Sequence, residues 1–231
     1  MLSLDRFIKV ALTVDNVIFG FDDNSLKVLL IKRGEEPYSD QWALPGYFVK
    51  EDEDLDTSAQ RVLTELTGLE KVYLEQVNAF GTVKRHPSGR VVTVAYYSLI
   101  KISEYQVKPD SIAQKAKWHS LSKAMSKELA FDHNDILISC FNRLKARVRT
   151  RPVGFQLLPP KFTLTELQQL YEAILGIALD KRNFRKKILS MNLLIDLNEM
   201  QKDVAHRPAK LYRFDIEKYK ELVSGGFNFE L

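Results

Sequence analysis

The spacing of apolar residues along the chain changes between a period of two and a period near 3.6, and the two patterns predict different elements. Apolar and β-branched residues predict strands in four stretches, at residues 6–20, 26–31, 72–80 and 91–100. The turn-forming residues Asp22, Asp23 and Asn24 separate the first two stretches, which predicts a β-hairpin. Residues 54–67 suit a helix, because acidic residues open the segment and Gly68 follows it as a left-handed cap.

A longer helix and a break follow in the second half of the chain. Residues 134–148 carry one apolar stripe at helical spacing, formed by Ile136, Leu137, Cys140, Phe141, Leu144 and Val148. This stripe belongs either to the core or to a seam between subunits. Pro152 and Gly154 then interrupt the helical pattern. We therefore divide the chain into two predicted domains, residues 1–152 and residues 153–231.

The second domain begins with two predicted helices. Residues 155–158 are predicted as a short strand before them. Residues 163–166 form a capping box, Thr-x-x-Glu, that opens a helix closed by Gly176. Asp180 can cap a second helix, in which Phe184, Ile188 and Leu189 are expected to face the core while the other side is basic.

A hairpin completes this domain. Residues 193–197 and 211–214 are predicted to pair, with Lys202, His206, Arg207 and Lys210 at the tip. A helix, a turn, a basic helix and a basic hairpin in this order are the layout of a winged helix-turn-helix.

Positive charge is concentrated in the middle of the chain. Residues 143–187 hold 11 Lys/Arg against 3 Asp/Glu (+8), whereas residues 1–142 hold 17 against 20 (−3) and residues 188–231 hold 6 against 7 (−1). Such a face is either solvated or binds a polyanion, and its place in a winged helix favours double-stranded DNA. The predicted DNA-binding residues are Thr163, Thr165, Lys181, Arg182, Asn183, Arg185, Lys186, Arg207 and Lys210. Arg182, Asn183 and Arg185 suit base edges, whereas the lysines and the hairpin suit phosphates.

The composition of the chain predicts the cellular compartment in which the protein is found. The chain has no run of about 18 apolar residues, and its first ten residues lack the hydrophobic region of a signal peptide. Its one cysteine, Cys140, permits no intrachain disulfide, which fits a reducing compartment. We expect a cytoplasmic protein with no membrane partner.

The segment from Gly46 to Leu69, entered through Leu44-Pro45, resembles the signature of the Nudix hydrolases. This resemblance implies an α/β/α sandwich. Aligned from Gly68-Leu69, the three glutamates that carry Mg²⁺ in the family fall on Val62, Glu65 and Leu66, and Tyr47 replaces the opening glycine. Mg²⁺ prefers oxygen ligands, so one glutamate beside two apolar residues is a poor site. We expect no metal, no cofactor and no efficient hydrolysis. Glu53 and Arg61 match the family pattern too, but are interpreted as helix-stabilising charges.

The two domains together resemble the Nudix-related transcriptional regulators of the NrtR type, on the segments 161–167, 179–185 and 207–212. The resemblance implies a homodimeric repressor that binds a palindromic operator and senses either ADP-ribose or a free sugar such as arabinose. Because the metal cluster is lost and Tyr47 adds a ring, we predict a pentose such as L-arabinose. The alternatives are an ADP-ribose-responsive regulator of NAD metabolism, an active Nudix pyrophosphatase with an appended DNA-binding module, and a nucleic-acid-binding protein with a purely structural Nudix scaffold.

The effector site is predicted from aromatic and basic residues near the Nudix segment. Residues 82–90 resemble a loop of ADP-ribose-processing relatives, with His86 in place of an Asp, and are either a plain hairpin connection or a ligand-binding loop. The predicted effector-binding residues are Tyr38, Trp42, Tyr47, Glu65, Arg85 and His86.

Overall fold

The computed structural model of the protein describes residues 9–22, 25–108, 113–202, 207–227 and 229–231. The strands in these residues are β1 (Ala11–Asp22), β2 (Ser25–Arg33), β3 (Trp42–Ala43), β4 (Gly46–Phe48), β5 (Glu75–Phe80), β6 (Val91–Lys101), β7 (Ala113–Ser120), β8 (Leu194–Met200) and β9 (Lys210–Phe214). The α-helices are α1 (Leu55–Thr67), α2 (Leu121–Ser126), α3 (His133–Thr150), α4 (Leu164–Leu175), α5 (Lys181–Ser190) and α6 (Ile216–Ser224).

Strand β1 is the centre of a mixed sheet whose strands follow the order β3-β2-β1-β6-β5. It pairs in parallel with β6 from Ala11 to Phe21 and antiparallel with β4 at residues 13–15. Strand β7 extends the sheet by pairing antiparallel with β2. Residues 13–21 of β1 are all buried, which explains why the strand is almost continuously apolar instead of alternating. Thr13, Asp15 and Asn16 are the polar residues inside this buried run.

Helix α1 packs its apolar face against the sheet. Asp54 caps its first turn by accepting a hydrogen bond from the Thr57 amide, and Gly68 ends it at φ 75°. Val62 and Leu66 are 0% and 1% exposed and belong to the same core cluster as residues of β1, β2 and β6. The predicted helix and its left-handed cap at Gly68 are therefore confirmed.

The chain divides into two compact units between Asn142 and Arg143. This division falls inside α3, so the helix begins in the first unit and ends in the second. The stripe predicted along it is largely buried, with Ile136, Cys140, Leu144 and Val148 each 0% exposed. The domain boundary after residue 152 stays a prediction, because the compact units share this helix.

In the second unit, α4 and α5 are followed by the β8-β9 hairpin and then by α6. The capping box at the start of α4 is confirmed: Thr163 accepts from the Glu166 amide, and the Glu166 carboxylate accepts from the Thr163 amide. Gly176 closes α4 at φ 71°, and Asp180 caps α5 by accepting from the Asn183 amide. Strands β8 and β9 pair antiparallel, as predicted.

Several expectations differ from the structure. The segment Phe155–Leu157 is a 3-10 turn instead of a strand, because Leu157 and Leu158 donate backbone hydrogen bonds to the carbonyls of Gly154 and Phe155, three residues back. Leu189 is 44% exposed, since only Phe184 and Ile188 on α5 turn inward. Asp23, Asn24 and His206, which were assigned to turns, lie outside the described residues. No helix within the described ranges is long and apolar enough to span a membrane.

Candidate functional site

A cleft of about 190 Å³ lies in the first unit, where β1, β2 and β4 meet the loop 82–90 and the start of α3. Its lining combines basic and aromatic side chains with one buried carboxylate. These residues include Asp15, Arg33, Tyr47, Phe48, Arg85, His86, Phe131 and His133.

Asp15 lies at the bottom of the cleft and is only 4% exposed. Its carboxylate is 3.6 Å from the guanidinium of Arg85 and 3.4 Å from Nε2 of His133. Gly46 opens β4 beside it, where a Cβ atom would lie 1.8 Å from a carboxylate oxygen of Asp15. A glycine at this position is therefore needed to let the β4 backbone approach the carboxylate.

His133 is buried and neutral in this network. Its Nδ1 accepts a hydrogen bond of 2.9 Å from the Leu44 amide, so its proton lies on Nε2, on the side of Asp15. Burial lowers the pKa of His133, and the carboxylates of Asp15 and Asp132 oppose that shift only in part. The ring therefore positions the floor of the cleft without adding charge.

Arg85 connects the loop to the start of α3. Its guanidinium donates to both carboxylate oxygens of Asp132, at 2.8 and 2.6 Å, and its side chain is 4% exposed. This bidentate geometry is the strongest form of the arginine–carboxylate pair. Residues 82–90 therefore form more than a plain hairpin connection.

Arg33 lies at the end of β2 and lines the cleft. No carboxylate of the described residues is in contact with its positive charge. Its guanidinium donates to the backbone carbonyls of Pro37 and Glu35, at 2.9 and 3.4 Å. In the described part of the chain no carboxylate lies within 4.0 Å of it. Burial lowers the pKa of Arg33, yet an arginine side chain remains charged at neutral pH.

Phe131 is the centre of an aromatic cluster and sits at φ 56°, immediately before α3. The ring of His86 stacks on it at 4.9 Å and 16°, and the guanidinium carbon of Arg33 lies 4.9 Å from its centroid. Tyr38 contacts it edge-on at 4.7 Å. Burial and the neighbouring guanidinium of Arg85 lower the pKa of His86, so this ring is neutral at pH 7.

The structure brings together only part of the predicted effector site. Tyr47, Arg85 and His86 line the cleft, and Tyr38 touches it through Phe131. Trp42 instead packs against His119, with ring centroids 4.5 Å apart, and does not line the cleft. Glu65 is also outside the cleft, where it pairs with Arg61 at 2.9 Å and is 41% exposed.

Sequence reasoning missed Asp15, Arg33, Phe131 and His133 as cleft residues. A signal existed for Asp15, since a carboxylate inside a buried apolar strand needs partners. Arg33 had no such signal, because a basic residue at the end of a strand is usually solvated.

The residues at the family's metal positions do not fit Mg²⁺. Val62 and Leu66 are buried in the core, and the Glu65 carboxylate is held by Arg61. Arg61 also binds Glu53 at 2.6 Å, and this contact lowers the pKa of Glu53 to about 2. Across the described ranges no group of three His, Cys, Asp or Glu side chains is placed to hold a metal. Glu53 and Arg61 thus form an ion pair in which each side chain is 13% exposed, and their helix-stabilising role stays a prediction.

A second candidate site is a basic groove of about 850 Å³ in the second unit. The groove is lined by the first turns of α4 and α5 and by the β8-β9 hairpin. Predicted DNA-binding residues in its lining are Thr163, Thr165, Lys181, Arg185, Arg207 and Lys210. Arg185 donates to the Thr165 hydroxyl at 3.1 Å, which fixes its guanidinium between the two helices.

The remaining predicted DNA-binding residues are placed differently. Arg182 and Lys186 are exposed on α5 outside the groove lining. Asn183 lines a separate hollow beside Phe184 and Lys187. Within the groove, Thr163 is 2% exposed and occupied by its capping box, and Lys210 is paired with Asp196 at 2.8 Å. Lys181, Arg185 and Arg207 are the cations best placed to meet a phosphate or a base.

Two family models match the chain. Residues 10–140 match the NUDIX domain, and residues 154–214 match the NrtR DNA-binding winged helix domain. The predicted architecture, a Nudix sandwich followed by a winged helix, is therefore confirmed.

Similar proteins combine the same two parts. An "ADPR responsive transcriptional repressor NtrR" of Acinetobacter baylyi is 41% identical over 90% of this chain and 83% of its own length. The crystal structure of Shewanella oneidensis NrtR with a 27mer DNA is 32% identical, covers 94% of this chain and 97% of that one, and has a TM-score of 0.72. The Nudix domain of the Shewanella protein with ADP ribose is 34% identical, covers 62% and 94% of the two chains, and has a TM-score of 0.57.

Proposed function

Because the chain belongs to the NrtR family of Nudix-related transcriptional regulators, we propose that it is a DNA-binding repressor whose Nudix cleft responds to ADP-ribose. The relatives support this effector by name, since one is ADPR responsive and another was crystallised with ADP ribose. They do not support the pentose predicted from the sequence. ADP-ribose was the alternative to that prediction and now takes its place.

The observation that carries this proposal is the guanidinium of Arg33, which lies in the cleft without a contact carboxylate. Two backbone carbonyls fix its direction, so little side-chain freedom is lost when a ligand binds. A diphosphate would supply the missing counter-charge and form charge-assisted hydrogen bonds. The prediction of a pentose considered the Nudix segment, and Arg33 lies outside that segment.

The other cleft groups suit the remaining parts of ADP-ribose. The rings of Phe48 and His86 can contact a base, as can Phe131 once His86 leaves its ring face, and the Asp15 carboxylate can accept hydrogen bonds from ribose hydroxyls. A free pentose would bring no anion into contact with Arg33, whose charge is balanced only by Glu35, Asp15 and Glu36 beyond contact distance. It would also lack contact with Glu65 and Trp42, which lie outside the cleft.

In the second unit we propose that the basic groove receives duplex DNA. Lys181 and Arg207 suit phosphates, whereas Arg185, held by Thr165, suits a base edge. One such groove covers a short half-site, so we propose that the protein binds a palindromic operator as a homodimer.

Isothermal titration calorimetry tests the effector. ADP-ribose is expected to bind in EDTA, whereas L-arabinose and D-xylose at millimolar concentration are not. Arg33→Gln removes the proposed diphosphate contact and should weaken ADP-ribose binding by about 10- to 100-fold, since hydrogen bonds to charged groups contribute about 1.5–3 kcal/mol.

Lys32→Gln is the matched control, because it removes the same charge from the neighbouring residue, which pairs with Asp40 at 2.7 Å. It should leave ADP-ribose affinity unchanged. Binding of the pentoses but not of ADP-ribose would refute the proposed effector. Rapid Mg²⁺-dependent release of AMP in a parallel assay would instead favour the pyrophosphatase alternative.

A further inference from the structure

Helix α3 starts beside the effector cleft and ends in the DNA-binding unit. Phe131 and His133 line the cleft at its beginning, while Arg143 to Thr150 belong to the second unit. Proline is absent between residues 133 and 150, so α3 lacks the residue that most sharply kinks a helix. The same helix thus contributes residues to the unit that holds the cleft and to the DNA-binding unit.

The start of this helix is fastened to the loop 82–90 by side chains. Arg85 holds both carboxylate oxygens of Asp132, and His86 stacks on Phe131. The backbone carbonyl of Asp132 also accepts hydrogen bonds from the amides of Asp135 and Ile136, at 3.0 and 3.3 Å. Asp132 therefore joins the loop, through its side chain, to the first hydrogen bonds of α3, through its carbonyl.

We infer that these two contacts, the Arg85–Asp132 ion pair and the His86–Phe131 stack, form a latch that the effector opens to change DNA affinity. This inference rests on the proposed function and adds the route by which the cleft controls the winged helix. It assigns Asp132 as a positioning residue that acts through α3.

An ADP-ribose-sized ligand competes with both halves of the latch. The cleft holds about 190 Å³, whereas sites for such ligands hold roughly 300–1,000 Å³. A base that stacks on Phe131 would displace His86 from its ring face, and a diphosphate held by Arg33 would lie in the same cleft as Arg85 and compete with Asp132 for its guanidinium. Binding is therefore stronger in the open state, and this differential affinity is what shifts the population of the two states.

The burial of Arg85 favours two discrete states of the latch, closed and open. The Arg85 side chain is 4% exposed, so a guanidinium that leaves Asp132 needs another anion instead of water, and the Asp15 carboxylate at 3.6 Å is one such anion. A bound diphosphate would be a second. Without effector, the carboxylate of Asp132 stays paired with Arg85, and the first turn of α3 stays in place.

Asp132→Asn tests the latch, since the amide keeps the shape of the side chain and loses its charge. The measurement is the affinity of the full-length protein for a duplex selected from a random library, by fluorescence anisotropy, with and without saturating ADP-ribose. In the wild type we expect the affinity to change at least about fivefold. The variant without effector should match the wild type with effector, and further ADP-ribose should change its affinity less than twofold.

Asp40→Asn is the control, because it breaks the exposed Lys32–Asp40 ion pair outside the cleft lining. It should respond to ADP-ribose as the wild type does. If Asp132→Asn also responds as fully as the wild type, the latch is wrong while the proposed function stands. If the wild type itself binds ADP-ribose without any change in DNA affinity, the proposed function fails instead.

Hydrogen exchange in the wild type is a second test that does not depend on a folded variant. Addition of ADP-ribose should alter exchange of the amides of Asp135 and Ile136, whose acceptor is the Asp132 carbonyl, and should leave the amides of α4 unchanged. Equal exchange at Asp135 and Ile136 with and without ligand would contradict the latch.

Discussion

Individual side chains were predictable where local chemistry fixes their role. The caps at Gly68, Thr163 and Asp180 could be read from residue type and position, because they depend only on neighbours within one turn. Arg33 could not be assigned in this way. Its importance comes from the fold, which places it beside Phe131, 98 residues away in sequence.

The predicted effector-binding residues also show that a role set by the fold cannot be read from neighbouring residues. Trp42 and Glu65 lie near the Nudix segment in sequence, yet the pairing of β2 with β3 and the Arg61 ion pair direct them away from the cleft. Distance along the chain was a poor guide, because strands point successive side chains to opposite faces.

At the residue scale, Arg185 provides a test of the DNA interface. Arg185→Ala should weaken binding to the selected duplex by about 1–3 kcal/mol, because it removes the proposed bidentate base contact. Thr165→Val removes the hydrogen bond that fixes Arg185 without changing charge, so it should cause a smaller loss. Fluorescence anisotropy at one fixed salt concentration measures both.

Lys218→Ala is the matched control for charge. Lys218 is on α6, outside the groove lining, and pairs with Glu221 at 3.6 Å. An affinity loss at Lys218 as large as that at Arg185 would mean that net charge, not the groove, determines binding.

At the scale of elements, long periodic segments were the most predictable. Helices α1, α3, α4 and α5 and strands β1, β2, β6, β8 and β9 correspond to predicted segments. The strand expected over residues 72–80 begins only at Glu75. Short or polar elements were not predicted: β3 and β4 have two and three residues, and β7 exposes much of its surface. Their strand conformation comes from pairing with β1 and β2 instead of from an apolar pattern of their own.

A substitution in helix α1 tests whether the metal site of the family has been lost. Leu66 is 1% exposed in the core, so Leu66→Glu, which restores the family residue, would bury an unpaired carboxylate. We expect it to lower the free energy of unfolding by about 3–5 kcal/mol, measured by urea denaturation. Leu66→Met preserves the volume and should cost less than about 1.5 kcal/mol. A stable Leu66→Glu variant whose melting temperature rises with Mg²⁺ would show that the metal site can be rebuilt.

At the scale of the whole molecule, the combination of domains was predictable and the effector was not. Both family models match the regions where the Nudix and winged-helix segments were recognised. The preference for a pentose failed to gain support because it relied on what the Nudix segment had lost. Arg33, the cation proposed to meet a diphosphate, lies on β2, outside that segment.

The central claim is that ADP-ribose controls DNA binding, and reciprocal titration of the full-length protein tests it most directly. Coupling between two sites is the same in both directions, so the factor by which ADP-ribose changes duplex affinity must equal the factor by which duplex changes ADP-ribose affinity. We predict one common factor of at least about five for ADP-ribose and a factor of one for L-arabinose. A duplex affinity that L-arabinose changes and millimolar ADP-ribose does not would contradict the claim.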